Sequence, residues 1–215
     1  MKTILFTGCT DGIGLEAARQ LVSKGHKVLL HGRDPTKLSL VAQEMGVEDA
    51  STFVADLSDI SQVYAMASAV KARYDRLDVL VNNAGLFKAP NAGILTNDSI
   101  DSRVAVNTVA PYILARELLP IIPKHGRVVN VSSAAQVSVD IYKAFPKTRR
   151  PGGHTPFSSD FDAYAQSKLG IIMWNNALAV EYPEHILVTL NPASMLGTKM
   201  VKEGFGVAGK DIGIL

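Results

Sequence analysis

The chain has 215 residues, 47% of them hydrophobic, with a formal net charge of +2 and a single cysteine. That length suits one domain with a sizeable core. The charge balance excludes a strong pull toward nucleic acid or anionic membrane, and the lone Cys9 excludes an intrachain disulfide and fits a reducing, cytoplasmic compartment.

The first element, "KTILFT" (2–7), is a short apolar run that reads as a buried strand. It is too brief for the apolar core of a signal peptide. "TGCTDGIG" (7–14) follows directly and opens a helix over 13–24. "HKVLLH" (26–31) is the second strand, and a helix follows over 35–45. "STFVA" (51–55) is the third strand. After "DLSDIS", Ile60, Val63, Met66, Val70 and Tyr74 recur at helical spacing, with Ser58 as N-cap. "LDVLVN" (77–82) precedes a long helix over 98–119, and "GRVVNVS" (126–132) precedes a helix over 160–182. "ILVTLN" (186–191) is the sixth strand. No run of about 18 apolar residues is present, so no membrane-spanning helix is expected.

Most of these strands are apolar on consecutive positions, as strands covered on both faces are. Strands alternating with helices predict one α/β domain over 1–215, a three-layer, doubly wound parallel sheet with right-handed crossovers. One stretch breaks the rhythm. Residues 137–159, containing "FPKTRRPGGHTPFSSD", are too long for an ordinary strand-to-helix connection. They are either a solvated surface insertion or a flap over a substrate pocket.

The glycine-rich turn points to a phosphate. Gly8 can turn sharply out of the strand, and Gly12 and Gly14 remove side chains where backbone approaches a ligand or the sheet. The helix N-terminus offers free amides and a partial positive charge. Gly8, Thr10, Asp11, Gly12, Ile13 and Gly14 are therefore candidates to bind a pyrophosphate. The Lys-Ser/Thr of a triphosphatase loop is absent, which argues against ATP or GTP. The second strand ends "HGRD", with Gly32 where an acid would meet the 2′-hydroxyl of NAD and Arg33 next to it. Arginine can pair with a 2′-phosphate, so NADP is expected ahead of NAD.

"YAQSK" (164–168) puts Tyr164 and Lys168 on one helix face. An ammonium beside a phenol favours the phenolate and lowers a pKa that is ordinarily about 10. Asn107, in "VAVNTVAP", is a poor residue for a helix interior and is costly to bury without partners. His26, His31, His125, His154 and His185 are dispersed without metal-ligand spacing, so no metal is expected. His31 reads as structural rather than as a cofactor contact.

Taken in order, these features resemble the short-chain dehydrogenase/reductase family from Thr7 to about Thr198. They are the Gly8–Gly12–Gly14 pattern, "DL" (Asp56 and Leu57), "NNAG" (82–85), Asn107, "NVSS" and "YAQSK". The long interval between serine and tyrosine, and "YAQSKLGIIMWNNALAVEY", are similar to the retinol-dehydrogenase-like, broad-specificity branch. The resemblance implies a Rossmann fold with strand order 3-2-1-4-5-6. It implies that Asp56 and Leu57 hold the adenine and that Asn83, Ala84 and Gly85 lie against the ribose. It makes Ser133, rather than Ser132, the serine that polarises the substrate carbonyl, and Tyr164 its acid/base. Lys168 would tune Tyr164 and hold the nicotinamide ribose. Asn107 would distort its helix and hold a water leading to the lysine. Homodimers or homotetramers through the helices at 98–119 and 160–182 are also implied.

Two departures stand out. The Pro-Gly expected after the sixth strand is Pro192–Ala193, with Thr198 as the candidate for the carboxamide contact. The ending "GKDIGIL" has no natural stop, and the seventh strand is missing; a longer parent chain is expected. The function expected is NADP-dependent interconversion of an alcohol and a ketone or aldehyde. The alternatives are an NADP-binding regulator without turnover, and a methyltransferase, which would not need Tyr164 and Lys168.

Overall fold

The computed structural model describes residues 1–88, 95–142, 144 and 157–192. The strands are β1 (Thr3–Phe6), β2 (Lys27–Gly32), β3 (Thr52–Val54), β4 (Val79–Asn82), β5 (Arg127–Val131) and β6 (Ile186–Leu190). They form one sheet in the order β3-β2-β1-β4-β5-β6, and every pair is parallel. The helices are α1 (Gly12–Ser23), α2 (Pro35–Met45), α3 (Ile60–Arg73), α4 (Ser102–Val104), α5 (Ala110–Leu118) and α6 (Asp160–Glu181).

The strand period of two explains the layers. Leu5 and Leu29 point to one face, where they pack with Val63, Met66, Leu114, Leu118 and Leu178 of α3, α5 and α6. Phe6, Val28 and Leu30 point to the other, against Ala18, Leu38 and Val41 of α1 and α2. Each fully buried leucine contributes about 1.5–3 kcal/mol. With both faces covered, the chemistry is left to the carboxyl ends of the strands, where the order reverses between β1 and β4.

Two local expectations change. The cap of α3 is Asp59, whose carboxylate accepts from Ser61 N and Gln62 N. Ser58 is drawn off instead, its N and Oγ bonding Asp56 Oδ1 at 2.9 and 2.7 Å. The helix expected from 98 begins at Ser102, after Ser99 with φ 60° and the capping residue Asp101. Helical structure runs from Ser102 to Ile121, long and apolar enough to cross a membrane by length and composition alone; its apolar side is the part of it that packs on the sheet. Of the long insertion, 143 and 145–156 lie outside the described residues, as do 193–215, with Ala193 and Thr198. On α6, Met173 is exposed and Trp174 packs edge-on against Tyr112 of α5.

Candidate active site

The site is built from five strand ends. At the end of β1 the chain turns at Gly8, φ 67°, so closely that a Cβ there would stand 2.7 Å from Ala84 Cα. A Cβ on Gly14 would stand 2.1 Å from Gly8 O. The turn is thus a cradle that only bare backbone can line. Asn83 fastens it, its Nδ2 donating to Thr7 O and Gly8 O at 3.0 Å each, so its side chain faces the turn. Thr7 Oγ1 accepts from Asn83 N and Ala84 N. Of the amides at the start of α1, Gly12 N is taken by Asp11 Oδ1 at 2.8 Å. The first-turn amides beyond it have no carbonyl four residues back within the helix. Ile13 is 36% exposed there.

His31 is structural, as expected. It is 2% exposed; its Nδ1 accepts from Gly8 N, and its Nε2 donates to Ala55 O, each at 3.1 Å. Burial holds its pKa down to about 4, so it stays neutral in this tautomer. It joins the turn after β1 to the end of β3, beside Asp56. Leu57 is in the core, leaving its backbone as the part able to meet an adenine. Arg33 is exposed and pairs with no acid among the described residues. Lys37 bridges to Asp11 at 3.1 Å across the mouth of the turn. Thr10 packs beside Gly32, where a Cβ would stand 2.6 Å from Thr10 Cγ2.

On the other side of β4, the four residues Asn107, Ser133, Tyr164 and Lys168 come together. Asn107 is fully buried, and the helix around it opens into a π-helical turn over Ala105–Val109. Its Oδ1 accepts from Leu86 N at 2.7 Å, and its Nδ2 donates to Leu86 O at 2.8 Å and Ser167 Oγ at 2.9 Å. Ser167 Oγ donates to Tyr164 O. Holding Leu86 sets Phe87, whose ring lies 4.8 Å from that of Tyr164. Neither Ser167 nor Phe87 stood out in the sequence, because both depend on contacts far along the chain.

Ser132 Oγ donates to Lys168 O at 3.0 Å, which ties β5 to α6. Ser133 caps the short turn that follows, its Oγ accepting from Ala135 N at 3.3 Å, and its side chain adjoins that of Tyr164. Lys168 is buried, its Nζ donating to Val131 O at 2.8 Å and standing 5.8 Å from the Tyr164 ring centroid.

One expectation is reversed. The Tyr164 pKa is raised, not lowered: burial disfavours the phenolate, and the adjoining Ser133 hydroxyl offsets only part of that. The hydroxyl therefore keeps its proton at neutral pH, which suits a donor. Burial lowers Lys168 itself from 10.5 to about 8. The folded chain holds that proton less tightly than the unfolded chain, so this group's contribution to stability rises with pH from about 8 to 10.5. Urea midpoints should show wild type gaining about 2 kcal/mol on Lys168→Met across that interval. A gap that does not change with pH would refute this.

The comparisons agree with this geometry. A family model described as short chain dehydrogenase matches residues 2–144. Short-chain dehydrogenase chry4 of Gibberella zeae is 31% identical over 194 residues, 89% of this chain and 70% of that protein. Human retinol dehydrogenase 12 is 32% identical over 185 residues, 83% of this chain and 56% of that protein. A metagenomic short-chain oxidoreductase solved with NADP superposes with a TM-score of 0.68 at 31% identity, covering 90% of this chain and 83% of its own. With the strand order, the glycine turn and these relatives in agreement, the chain belongs to the short-chain dehydrogenase/reductase family and is an oxidoreductase.

Proposed function

We propose that this chain uses NADPH to reduce a ketone or aldehyde to an alcohol, and catalyses the reverse with NADP, with Tyr164 as acid/base. The observation that carries the proposal is the buried Tyr164 beside Ser133, with the buried Lys168 on the same helix face, 5.8 Å from its ring. The bare-backbone cradle at Gly8 and Gly14 fits a pyrophosphate, and the exposed guanidinium of Arg33 fits a 2′-phosphate. The metagenomic relative solved with NADP supports the same choice. Thr10, Asp11, Gly12, Ile13, Asp56, Leu57, Ala84, Gly85 and Pro192 complete the proposed cofactor contacts, with Ala193 and Thr198 outside the described residues.

When bound, the nicotinamide supplies a hydride to the carbonyl carbon. The protein's part is at the oxygen. Ser133 donates a hydrogen bond to the carbonyl oxygen, and Tyr164 passes its proton to that oxygen as negative charge develops. Lys168 stabilises the phenolate left behind, and Asn107 keeps the Leu86–Phe87 backbone against the tyrosine.

The reading is tested by following reduced-nicotinamide absorbance against benzaldehyde, p-nitrobenzaldehyde, acetophenone, a long-chain aliphatic ketone and retinaldehyde. Turnover of at least one is expected with NADPH; none with either dinucleotide, despite tight binding, would favour a regulatory protein. Arg33→Ala should weaken NADPH binding by about 10–100-fold, the worth of a charge-assisted pair, and NADH by less than about twofold. Equal loss for both would remove the 2′-phosphate argument.

A further inference from the structure

Arg103 is a charged side chain that is only 1% exposed, and neither the cofactor nor the proton transfer described above uses it. A guanidinium is found at such depth only where its donors are matched. Asp101 matches three of the groups Arg103 offers. Its Oδ1 accepts from Arg103 N at 2.9 Å and Nε at 2.8 Å, and its Oδ2 accepts from Nη2 at 2.7 Å. The remaining fork nitrogen, Nη1, donates to the carboxylate of Asp160, the first residue of α6, whose side chain is 50% exposed.

The positions matter more than the charges. Four residues beyond Arg103 is Asn107, and four residues beyond Asp160 is Tyr164. Asn107 and Thr108 grip α6 at Ser167, just past the tyrosine, through Ser167 Oγ at 2.9 Å and Ser167 O at 2.7 Å. Arg103 grips α6 one turn before it. Tyr164 therefore lies between two attachment points on the same neighbouring helix. Held at Ser167 alone, the first turns of α6 could pivot and carry the hydroxyl away from Ser133.

We propose that Arg103 is a positioning residue, and that the Asp101–Arg103–Asp160 clamp holds Tyr164 in place beside Ser133. The inference rests on the reading of Tyr164 as proton donor. Asp160 is the place to test it, because its half-exposed side chain can be changed without opening the core. With the carbonyl of the panel above that wild type reduces fastest, Asp160→Asn and Asp160→Ala should lower kcat by about tenfold or more, since small displacements of a reacting group cost that much. KM for NADPH should stay within about twofold, and kcat, counted per folded enzyme, should fall even where the unmatched Arg103 Nη1 lowers the unfolding midpoint. Asp160→Glu should restore most of kcat, because it keeps the charge.

Wild-type kcat in both Asn and Ala variants would overturn the clamp. So would a loss of kcat that tracks loss of folded protein, or one that Glu does not repair. Tyr164→Phe run in parallel separates the two claims. If it stays active, the proton-donor reading fails; if it is inactive while Asp160→Asn is not, only the clamp fails. A wild type silent on the whole panel removes both.

Discussion

Gly14→Ala is expected to bind NADPH about a hundredfold more weakly, roughly 2.7 kcal/mol. Alanine is the better helix former by about 1 kcal/mol, so helix propensity predicts the opposite, a gain in stability. The clash decides the sign. The added Cβ would stand 2.1 Å from Gly8 O and 2.5 Å from Asn83 Nδ2. Neither can swing away cheaply. Gly8 O is backbone in a left-handed turn, and Asn83 Nδ2 is already bonded to Gly8 O and Thr7 O. Either α1 lifts or the turn opens, and overpacking of this kind costs about 1–3 kcal/mol. Both movements spoil a cradle whose donors are backbone amides. Fluorescence titration with NADPH and a thermal melt measure the two effects. Unchanged affinity with a raised midpoint would show that the turn is not where the pyrophosphate sits.

Tyr164→Phe is expected to lower carbonyl reduction by about a thousandfold, within the range usual for a positioned general acid. The change removes one oxygen. The ring that packs on Phe87 at 4.8 Å is kept, so the wall of the site should stand. The lost interaction with Ser133 is worth at most about 1 kcal/mol, partly returned because a buried polar group no longer needs satisfying. Stability and NADPH affinity should therefore change little while steady-state turnover collapses. A parallel fall in affinity would mean that the hydroxyl serves binding rather than proton transfer.

The sheet was legible because its signal is local. Runs such as "KVLLHG" are apolar on both faces, and the glycine turn after β1 and the "NNAG" after β4 are short and continuous. Asn107 was legible as an anomaly, an amide among apolar neighbours, and the π-helical turn is where the helix accommodates it. What escaped depends on depth or on distance along the chain. Asp59 beat Ser58 as a cap because Asp56 had already taken the serine. Nothing in the sequence marks Arg103, because its partner Asp160 lies beyond the long insertion. The direction of the Tyr164 shift could not be read from a four-residue spacing. That spacing gives proximity to Lys168, but it does not say that both groups are buried or that Val131 holds the ammonium.

The most direct test is a single-turnover experiment. Enzyme saturated with NADPH is mixed with an excess of the carbonyl that wild type reduces fastest, and the reduced-nicotinamide absorbance is followed. Wild type should lose the signal in one phase, and Tyr164→Phe, equally saturated, should hold it over the same interval. Decay at the wild-type rate in the phenylalanine variant would contradict Tyr164 as the source of the proton.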